Sequence, residues 1–319
     1  MPKIDKIMVT GALGHIGSFV IRDLVKRFSG VEVILVDNMM TQRYSSLFNL
    51  PSRGRYRFHE GDVTTMDLSG ELESVNAVIH LAAITDAAGS FDNAEQVEDN
   101  NYEATRKVAE ACVATGTRLI SLSSTSVYGT QENMVSEDCS SNELQPQSPY
   151  AETKLREEAL VTSLAEEKDL SVVIFRFGTI FGPSPGMRFH TAVNKFCWQA
   201  VMGKPITVWR TAYDQKRPYL DLKDAAGAIA FALDQDLFDH RIYNVLTQNA
   251  PVSDIVNIIR EFIPDLKVDF VDSPIMNQLS YEVSCERIKE SGFSFSGDLR
   301  KGIGETISLL QGAHNGTQR

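Results

Sequence analysis

The sequence predicts an α/β fold with a doubly wound parallel sheet, and three observations support this prediction. Short apolar runs alternate with longer amphipathic runs in the first half of the chain, a glycine-rich turn follows the first apolar run, and an acidic residue ends the second. The 319 residues are 43% hydrophobic and 23% charged, which is the composition of a globular protein. We therefore expect a Rossmann-type sheet followed by a smaller mixed α/β lobe.

The apolar runs of the first half are short and rich in β-branched residues, which predicts strands buried on both faces. The predicted strands are residues 7–9, 31–36, 56–58, 77–81, 118–122 and 170–175. Helical spacing of apolar residues between them predicts helices at 16–28, 94–115 and 150–167. This alternation implies parallel strands joined by right-handed crossovers.

After Gly178 the alternation ends with the loop sequence GPSPG, residues 182–186. In the remainder, strands are predicted at 206–209 and 242–245. Helices are predicted at 221–234, 252–262 and 302–310. We expect residues 1–178 to form the sheet domain and residues 179–319 to form mainly the smaller lobe. Some of the later chain is expected to return to the first domain.

The charge and the cysteines exclude several classes of function. A formal net charge of −11 argues against a nucleic acid or an anionic membrane as partner. No apolar run approaches the ~20 residues that span a bilayer, and no signal peptide fits before the strand at Ile7. The four cysteines form no CxxC pair and no histidine lies at metal-ligand spacing, so we expect no metal and a cytoplasmic location.

The first strand is followed by the turn GALGHIG, residues 11–17, which opens the first predicted helix. Its spacing is GxxGxxG rather than GxGxxG, and an ordinary strand-to-helix turn could also use these glycines. Asp37 ends the second strand about 20 residues later, where a carboxylate would bind a ribose diol and repel a 2′-phosphate. Together these features predict a dinucleotide site that favours NAD over NADP. The segments 61–63 and 81–83 follow later strands and are placed to meet the same cofactor.

Tyr150 and Lys154 are four residues apart and therefore share one face of a predicted helix. An ammonium group in this position lowers the pKa of the phenol and can also reach a ribose hydroxyl. A YxxxK pattern often arises by chance. It gains weight here from the hydroxyl-rich segment SSTSVYG, residues 123–129, which leaves the fifth strand where side chains face the ligand crevice. The pair predicts a base for a sugar hydroxyl.

These residues resemble the extended short-chain dehydrogenase/reductase family, and within it the NAD-dependent sugar-nucleotide epimerases and dehydratases, in particular those similar to UDP-glucose 4-epimerase. The resemblance runs from Ile7 to about Leu310. Its markers are GALGHIG, Asp37, GDV at 61–63, HLAA at 80–83, Asn101, SSTSVYG, YAETK at 150–154, RFGTIFGP at 176–183 and KRPYLDLKDAA at 216–226.

The resemblance implies a role for each matching residue. Tyr150 would take the proton of a sugar hydroxyl, Lys154 would hold the nicotinamide ribose, and Ser124 would bind the same hydroxyl. The predicted NAD contacts are Gly11, Leu13, Gly14, His15, Ile16, Gly17, Asp37, Asn38, Asp62, Val63, Leu81, Ala82, Ala83, Asn101, Tyr150 and Lys154. The predicted substrate contacts are Thr85, Ser124, Ser126, Thr179, Arg188, His190, Trp209 and Arg217. Arg217 matches an arginine that contacts the substrate diphosphate in relatives.

The residues after Ser124 favour one reaction of the family. Members that dehydrate the sugar carry an Asp-Glu pair where Thr125 and Ser126 stand, and nucleotide-glucuronate decarboxylases carry Glu at the second position. The segment is most similar to that of C4-epimerases, in which a 4-keto intermediate turns over and takes the hydride back on its other face. We therefore predict an isomerase that inverts C4 of a nucleotide diphosphate sugar and regenerates its NAD in each cycle.

Two family features are missing. The asparagine after the sixth strand is Thr179, and the usual Arg-x-x-Asp has no counterpart near residues 274–278. Arg188, His190 and Trp209 are candidate replacements in the substrate pocket. Each has a structural alternative: a solvated loop cation for Arg188 and a packing role for His190 and Trp209.

Two other functions stay open. The same Ser-Tyr-Lys set could serve a dehydrogenase or ketoreductase with net cofactor turnover, or the chain could be a silent NAD-binding protein. The intact catalytic set argues against the silent protein. The resemblance also implies a homodimer formed by the helices at 94–115 and 150–167. Apolar residues that could support it, or could pack on their own sheet instead, are Val108, Cys112, Leu155, Leu160 and Leu164.

Overall fold

The computed structural model describes residues 3–85, 94–272 and 280–313, which contain two kinds of sheet. The strands are β1 (Lys6–Thr10), β2 (Glu32–Asp37), β3 (Arg55–Glu60), β4 (Ala77–His80), β5 (Arg118–Ser124), β6 (Val172–Phe177), β7 (Thr179–Phe181), β8 (Ile206–Trp209), β9 (Lys216–Asp221), β10 (Ile242–Val245), β11 (Gln248–Pro251) and β12 (Val268–Val271). Seven of them form a parallel sheet in the order β10-β6-β5-β4-β1-β2-β3. The predicted α/β fold class is confirmed.

The order of the large sheet places the ligand crevice. The chain runs outward from β1 through β2 to β3 and then returns to put β4 on the other side of β1, so Val9 pairs with both Leu35 and Ile79. Ligands of doubly wound sheets bind outside the carboxyl ends of the strands where the order reverses. Here that point lies after Thr10 and His80.

Helices cover both faces of this sheet, and further helices lie in the smaller lobe. The helices of the described residues are α1 (His15–Arg27), α2 (Leu68–Glu71), α3 (Ala94–Thr115), α4 (Pro149–Lys168), α5 (Ala192–Val201), α6 (Leu222–Gln235), α7 (Val252–Phe262), α8 (Glu286–Glu290) and α9 (Leu299–Leu310). Buried residues of α1 and α6 pack on one face, and buried residues of α3 and α4 pack on the other. None of the described helices has the length and apolarity to cross a membrane.

The start of α4 is strongly specified by its sequence. Ser148 accepts a hydrogen bond from Ala151 N (3.2 Å) as N-cap, and Pro149 occupies the first turn, where its missing N–H costs nothing. The helix ends at Asp169, which adopts a left-handed conformation. This start places Tyr150 in the first turn and Lys154 one turn later.

A smaller mixed lobe lies beside the large sheet. It contains a three-stranded sheet in the order β11-β9-β7 and a two-stranded parallel sheet of β8 and β12, packed with α5, α7 and α9 around a third core cluster. Strand β10, at the edge of the large sheet, and helix α6, beside α1, are the parts of the later chain that lie with the first domain. The division of the chain at residue 178 stays a prediction.

Candidate active site

The carboxyl ends of β1, β2, β4 and β5 open into a cleft of about 380 Å³ that the lobe closes from the other side. Most of the predicted site residues line it. They are Gly11, Gly14, His15, Ile16, Gly17, Asp37, Asn38, Asp62, Val63, Leu81, Ala82, Ala83, Thr85, Ser124, Ser126, Tyr150, Lys154, Thr179, Arg188, His190 and Arg217. The structure therefore brings together residues that the sequence spreads over more than half its length.

The glycine turn is too tight for side chains. A Cβ atom on Gly11, whose φ is +62°, would lie 2.7 Å from the backbone of Leu81 and Ala82, and one on Gly17 would lie 2.3 Å from Gly11 O. Helix α1 starts at this turn, and its N-cap residue Gly14 makes no side-chain cap hydrogen bond. Because the first N–H groups of a helix have no partner within it, this end of the cleft can hold an anion such as a pyrophosphate.

Two carboxylates stand at the ends of β2 and β3. Asp37 accepts hydrogen bonds from Leu13 N and Met39 N, both at 3.0 Å, which holds it at the rim of the cleft. Asp62 accepts from Asn38 Nδ2 at 3.0 Å and from Thr64. Burial opposes ionisation of Asp62, but these hydrogen bonds prevail and lower its pKa below the ordinary value. Carboxylate acceptors here suit a ribose diol and repel a 2′-phosphate.

A loop from the lobe closes over the glycine turn. His15 Nε2 donates to Gly182 O (2.8 Å), Ser184 Oγ donates to His15 O (2.8 Å), and Gly186 N donates to Ser18 Oγ (2.9 Å). Burial, more than the neighbouring arginines, lowers the pKa of His15 to about 4, so its ring is a neutral hydrogen-bond donor. The GPSPG loop therefore ties the cofactor end of the cleft to the substrate end.

Ser124 is oriented by its neighbour. Its Oγ accepts hydrogen bonds from Ser126 N (3.2 Å) and Ser126 Oγ (2.9 Å). A hydroxyl has two acceptor sites and one proton, so the Ser124 proton remains for the Tyr150 oxygen or for a ligand. A side-chain hydrogen bond between Ser124 and Tyr150 lowers the pKa of the phenol.

Tyr150 and Lys154 face each other across one helical turn, with Lys154 Nζ 5.9 Å from the ring centroid of Tyr150. Lys154 donates to Leu122 O (3.0 Å) and to Glu157 Oε2 (2.9 Å), so one of its three donors remains for a ligand. Desolvation lowers the pKa of Lys154, but Glu157 and Tyr150 raise it more, so the net pKa lies above its ordinary value.

The pKa of Tyr150 shows what the spacing alone could not predict. Lys154 lowers it, as predicted, and so do Arg188 and Ser124, yet desolvation is the largest influence and the net pKa is raised. The helical spacing places the Lys154 ammonium beside the Tyr150 phenol. The depth at which the phenol is buried determines the direction of the net shift.

The substrate end of the cleft is rich in cations and hydroxyls. Arg188 donates to Thr85 Oγ1, and its Nη2 lies 3.1 Å from His190 Nε2. The Nε and Nη2 atoms of Arg217 are buried and have no hydrogen-bond partner among the described residues. Tyr281 lines the cleft, and its hydroxyl lies 3.4 Å from Thr125 Oγ1.

Three predicted contacts do not line the cleft. Leu13 is buried and acts through its main-chain N–H on Asp37. The Asn101 side chain lies behind the wall, where it bonds both main-chain groups of Ile84 at 2.8 and 2.9 Å. Trp209 is the last residue of β8 in the lobe and is not among the residues that line the cleft. The structure therefore does not support its predicted contact with the substrate. Residues 274–278, where the Arg-x-x-Asp was sought, lie outside the described residues.

Several lining residues were not predicted from the sequence. They include Met40, Thr41, Arg43, Ile84, Asn100, Ala104, Phe177, Ile180, Thr191 and Tyr281. Arg43 donates to Gly186 O (2.7 Å), and burial lowers its pKa to about 10. The position of Arg43 shortly after Asp37 is a signal in the sequence that it could line the cofactor end. Nothing in the sequence around Tyr281 indicates that it lines the cleft. Within the described residues, no cluster of acidic, cysteine and histidine side chains is suited to a metal ion.

Comparison with known proteins gives consistent results. The family model described as the NAD dependent epimerase/dehydratase family matches residues 7–245. The trifunctional UDP-glucose 4,6-dehydratase/UDP-4-keto-6-deoxy-D-glucose 3,5-epimerase/UDP-4-keto-L-rhamnose-reductase RHM3 of Arabidopsis thaliana is 29% identical over 96% of this chain. The match takes up 47% of RHM3, so this chain spans about half the length of that relative. The uncharacterized UDP-glucose epimerase YtcB of Bacillus subtilis is 31% identical over 80% of this chain and 81% of its own.

Two solved structures show the same fold with ligands. The UDP-glucuronic acid 4-epimerase from Bacillus cereus, in complex with UDP-glucuronic acid and NAD, has a TM-score of 0.86 and 26% identity, covering 96% of this chain and 99% of its own. MoeE5 in complex with UDP-glucose and NAD has a TM-score of 0.83 and 28% identity, covering 97% of this chain and 99% of its own.

Proposed function

The chain belongs to the NAD-dependent epimerase/dehydratase family, and from that membership we propose that it is an isomerase that inverts C4 of a nucleotide diphosphate sugar through a transient 4-keto intermediate. Its cofactor is NAD, as predicted. The similarity to structures that hold UDP-glucuronic acid or UDP-glucose supports a nucleotide sugar as the substrate.

The observation that carries this proposal is the lack of an acid beside the catalytic hydroxyl. Loss of water from a sugar requires a group that protonates the leaving hydroxyl. Thr125 and Ser126 stand where dehydratases carry carboxylates, and Thr125 is buried with its hydroxyl directed at Phe177 O (3.4 Å). Among the described residues that line the cleft, the carboxylates are Asp37 and Asp62, both at the cofactor end. Epimerisation needs no such acid.

The residues present can perform both halves of an epimerisation. Tyr150 removes the proton of the C4 hydroxyl as the C4 hydride leaves, and it returns that proton when the hydride comes back to the opposite face. Ser124 donates its proton to the same oxygen, and Lys154 stabilises the phenolate. The chemistry that NAD supplies when bound is a hydride acceptor with a positively charged ring. The tight glycine cradle and the Asp37 carboxylate fit that dinucleotide.

Inversion also requires that the sugar rotate while the rest of the substrate stays bound. Arg217 suits the anchoring role, because its buried Nε and Nη2 atoms have no partner among the described residues and a diphosphate would supply one. Arg188 lies nearer the reacting end, since its charge acts on the Tyr150 phenol. We expect Arg217 to hold the diphosphate and the sugar to turn beside Tyr150.

A product assay by NMR tests the reaction. The purified protein is incubated with UDP-glucose, UDP-glucuronic acid and their N-acetylated analogues, with catalytic NAD and no reductant, while NADH absorbance is followed. A C4-inverted product without net NADH is expected. NADH that accumulates in proportion to substrate loss would instead show a dehydrogenase, and a 4-keto-6-deoxy product would show a dehydratase. NAD binding without any product would move the search away from nucleotide sugars.

We also propose a homodimer built on α3 and α4 and a cytoplasmic location. Of the apolar residues considered for the interface, Val108, Cys112 and Leu164 are buried in the chain's own core, whereas Leu155 and Leu160 are only partly covered. The four unpaired cysteines suit a reducing compartment. Sedimentation of the purified protein tests the dimer, and a monomeric mass at micromolar concentration would contradict it.

A further inference from the structure

A buried carboxylate, that of Glu157, contacts Lys154 on the protein side of the cleft wall. Glu157 lies one turn after Lys154 on α4 and is only 3% exposed. Its Oε2 atom accepts hydrogen bonds from Lys154 Nζ (2.9 Å) and from Thr105 Oγ1 on α3 (2.8 Å). The proposed reaction assigns no role to this buried carboxylate, and it does not line the cleft.

Glu157 also ends a chain of hydrogen bonds that begins beneath the glycine turn. Thr10 Oγ1 lies 2.8 Å from His80 Nδ1, and His80 Nε2 lies 3.2 Å from Thr105 Oγ1. Thr105 donates its one hydroxyl proton to the Glu157 carboxylate, so its oxygen accepts from His80 Nε2–H. Because the His80 ring is neutral, its Nδ1 carries no proton and accepts from the Thr10 hydroxyl. All protons of the chain are directed toward the carboxylate.

The neighbouring residue shows that this arrangement is specific. Glu158 is also buried, but it binds Arg176, with Nη2 to Oε2 at 2.6 Å and Nε to Oε1 at 2.9 Å. Two consecutive glutamates of α4 therefore pair with two different cations. Lys154 has Glu157 as its own counter-charge, and removal of Glu158 would disturb β6 instead.

We propose that Glu157 is a positioning residue that holds the Lys154 ammonium at the floor of the cleft and sets the pH range in which Tyr150 transfers protons. This inference rests on the proposed roles of Tyr150 and Lys154. A lysine buried to 5% exposure readily loses its proton unless a counter-charge is present. Glu157 supplies that charge, and the hydrogen-bond chain keeps it in place.

The charges around the pair determine the direction of the effect. From α4 itself, Glu157 and Glu158 raise the pKa of Lys154, and Glu157 raises that of Tyr150. From the other side Arg188 lowers the pKa of Tyr150. His80, on β4, stays neutral because burial lowers its pKa to about 3. Removal of the Glu157 charge therefore lowers the pKa of both members of the pair.

The experiment compares Glu157→Gln with Glu166→Gln, which makes the same change at an exposed position of the same helix. For Glu157→Gln we expect both limbs of the kcat–pH profile to move to lower pH by about one unit or more, with KM for the sugar little changed. The Glu166→Gln profile should match the parent. A uniform loss of kcat with unmoved limbs would show a structural role only and overturn the proposal.

A spectroscopic titration makes the test independent of turnover. The phenol of Tyr150 is titrated by ultraviolet absorbance in the NAD-loaded protein as the difference from Tyr150→Phe, with and without Glu157→Gln. We expect the Tyr150 titration to move to lower pH in the glutamine variant. If it moves while no sugar reacts, the positioning role stands and the proposed reaction fails. An unmoved titration overturns the role of Glu157 whatever the substrate is.

Two milder variants keep the test valid if Glu157→Gln does not fold. Glu157→Asp retains the charge, so its pH limbs should stay in place while kcat falls. Thr105→Val removes one hydrogen bond that fixes the carboxylate beside Lys154, so both limbs should move to lower pH, but less far than in Glu157→Gln. Unmoved limbs in Thr105→Val, or limbs of Glu157→Asp that move as far as those expected for Glu157→Gln, would contradict the proposal.

Discussion

The two ends of the cleft are built differently. The cofactor end consists of the glycine turn and two carboxylates that directly follow strands of one sheet, and its polar groups are bonded to nearby backbone and side chains. The substrate end is assembled from Thr85, Thr179, Arg188, Arg217 and Tyr281, which come from distant parts of the chain. Two buried N–H groups of Arg217 remain without partners among the described residues.

This difference indicates how binding energy is distributed. The polar groups of the cofactor end are already bonded within the protein without a ligand, so this end suits a dinucleotide. The substrate end contains a partly buried cation, Arg217, whose buried Nε and Nη2 atoms have no partner among the described residues, and a ligand anion would supply one. The following variants test whether the two ends can be separated experimentally.

Tyr150→Phe should have the largest effect because Tyr150 lies where the two ends meet. Loss of the phenol oxygen removes the proposed general acid and base, so kcat should fall by ~10²-fold or more while NAD binding is retained. The control is Tyr44→Phe, which removes the same atom from an exposed ring. Turnover close to the parent rate in Tyr150→Phe would remove this residue from the mechanism.

Gly17→Ala should damage the cofactor end. The new Cβ atom would lie 2.3 Å from Gly11 O, so the turn must open, and overpacking of this kind costs about 1–3 kcal/mol. We expect weaker NAD binding and a lower Tm. Gly227→Ala in α6 is the matched control, because its Cβ would meet Phe293 at an ordinary 3.5 Å. Equal NAD affinity in both variants would disprove the steric argument.

Arg217→Met should damage only the substrate end. Charged hydrogen bonds to a diphosphate are worth about 1.5–3 kcal/mol, so KM for the nucleotide sugar should rise roughly 10- to 100-fold while the NAD Kd stays constant. Because the buried Nε and Nη2 atoms of Arg217 have no partner in the part of the chain that the structure describes, Tm should be equal to or above that of the parent. Arg260→Met at an exposed site of α7 is the control. A fall in Tm would show that Arg217 serves the fold.

Asp37→Asn should have the smallest effect. The amide keeps the size of the side chain but loses the charge that repels a 2′-phosphate, so the preference for NAD over NADP should narrow by about tenfold. Calorimetric titration with both dinucleotides measures this, with the exposed Asp269→Asn as control. An unchanged preference would assign cofactor selection to other groups at the rim of the cleft, such as Arg43.

The lobe was harder to predict from the sequence than the sheet domain. Strands β7, β9, β11 and β12 were not predicted, because short strands in small sheets have weak periodicity and depend on their partners. The strand at 242–245 was predicted, but its place beside β6 depends on the path of the chain around the sheet. Candidate substrate residues could be chosen by residue type. Only the packing of the lobe shows that Arg188 lines the cleft and Trp209 does not.

By itself, the sequence determined what depends on neighbours along the chain. The glycine spacing, the acid at the end of β2 and the helical pairing of Tyr150 with Lys154 are local, and each directly restricts backbone or side-chain geometry. Only the tertiary structure decided that the Glu157 carboxylate beside Lys154 is reached by a hydrogen-bond chain from Thr10, and that burial raises the pKa of Tyr150. It also decided that the buried Nε and Nη2 atoms of Arg217 have no partner among the described residues. Desolvation and long-range hydrogen bonds arise when distant segments pack together, and spacing along one segment does not reveal them.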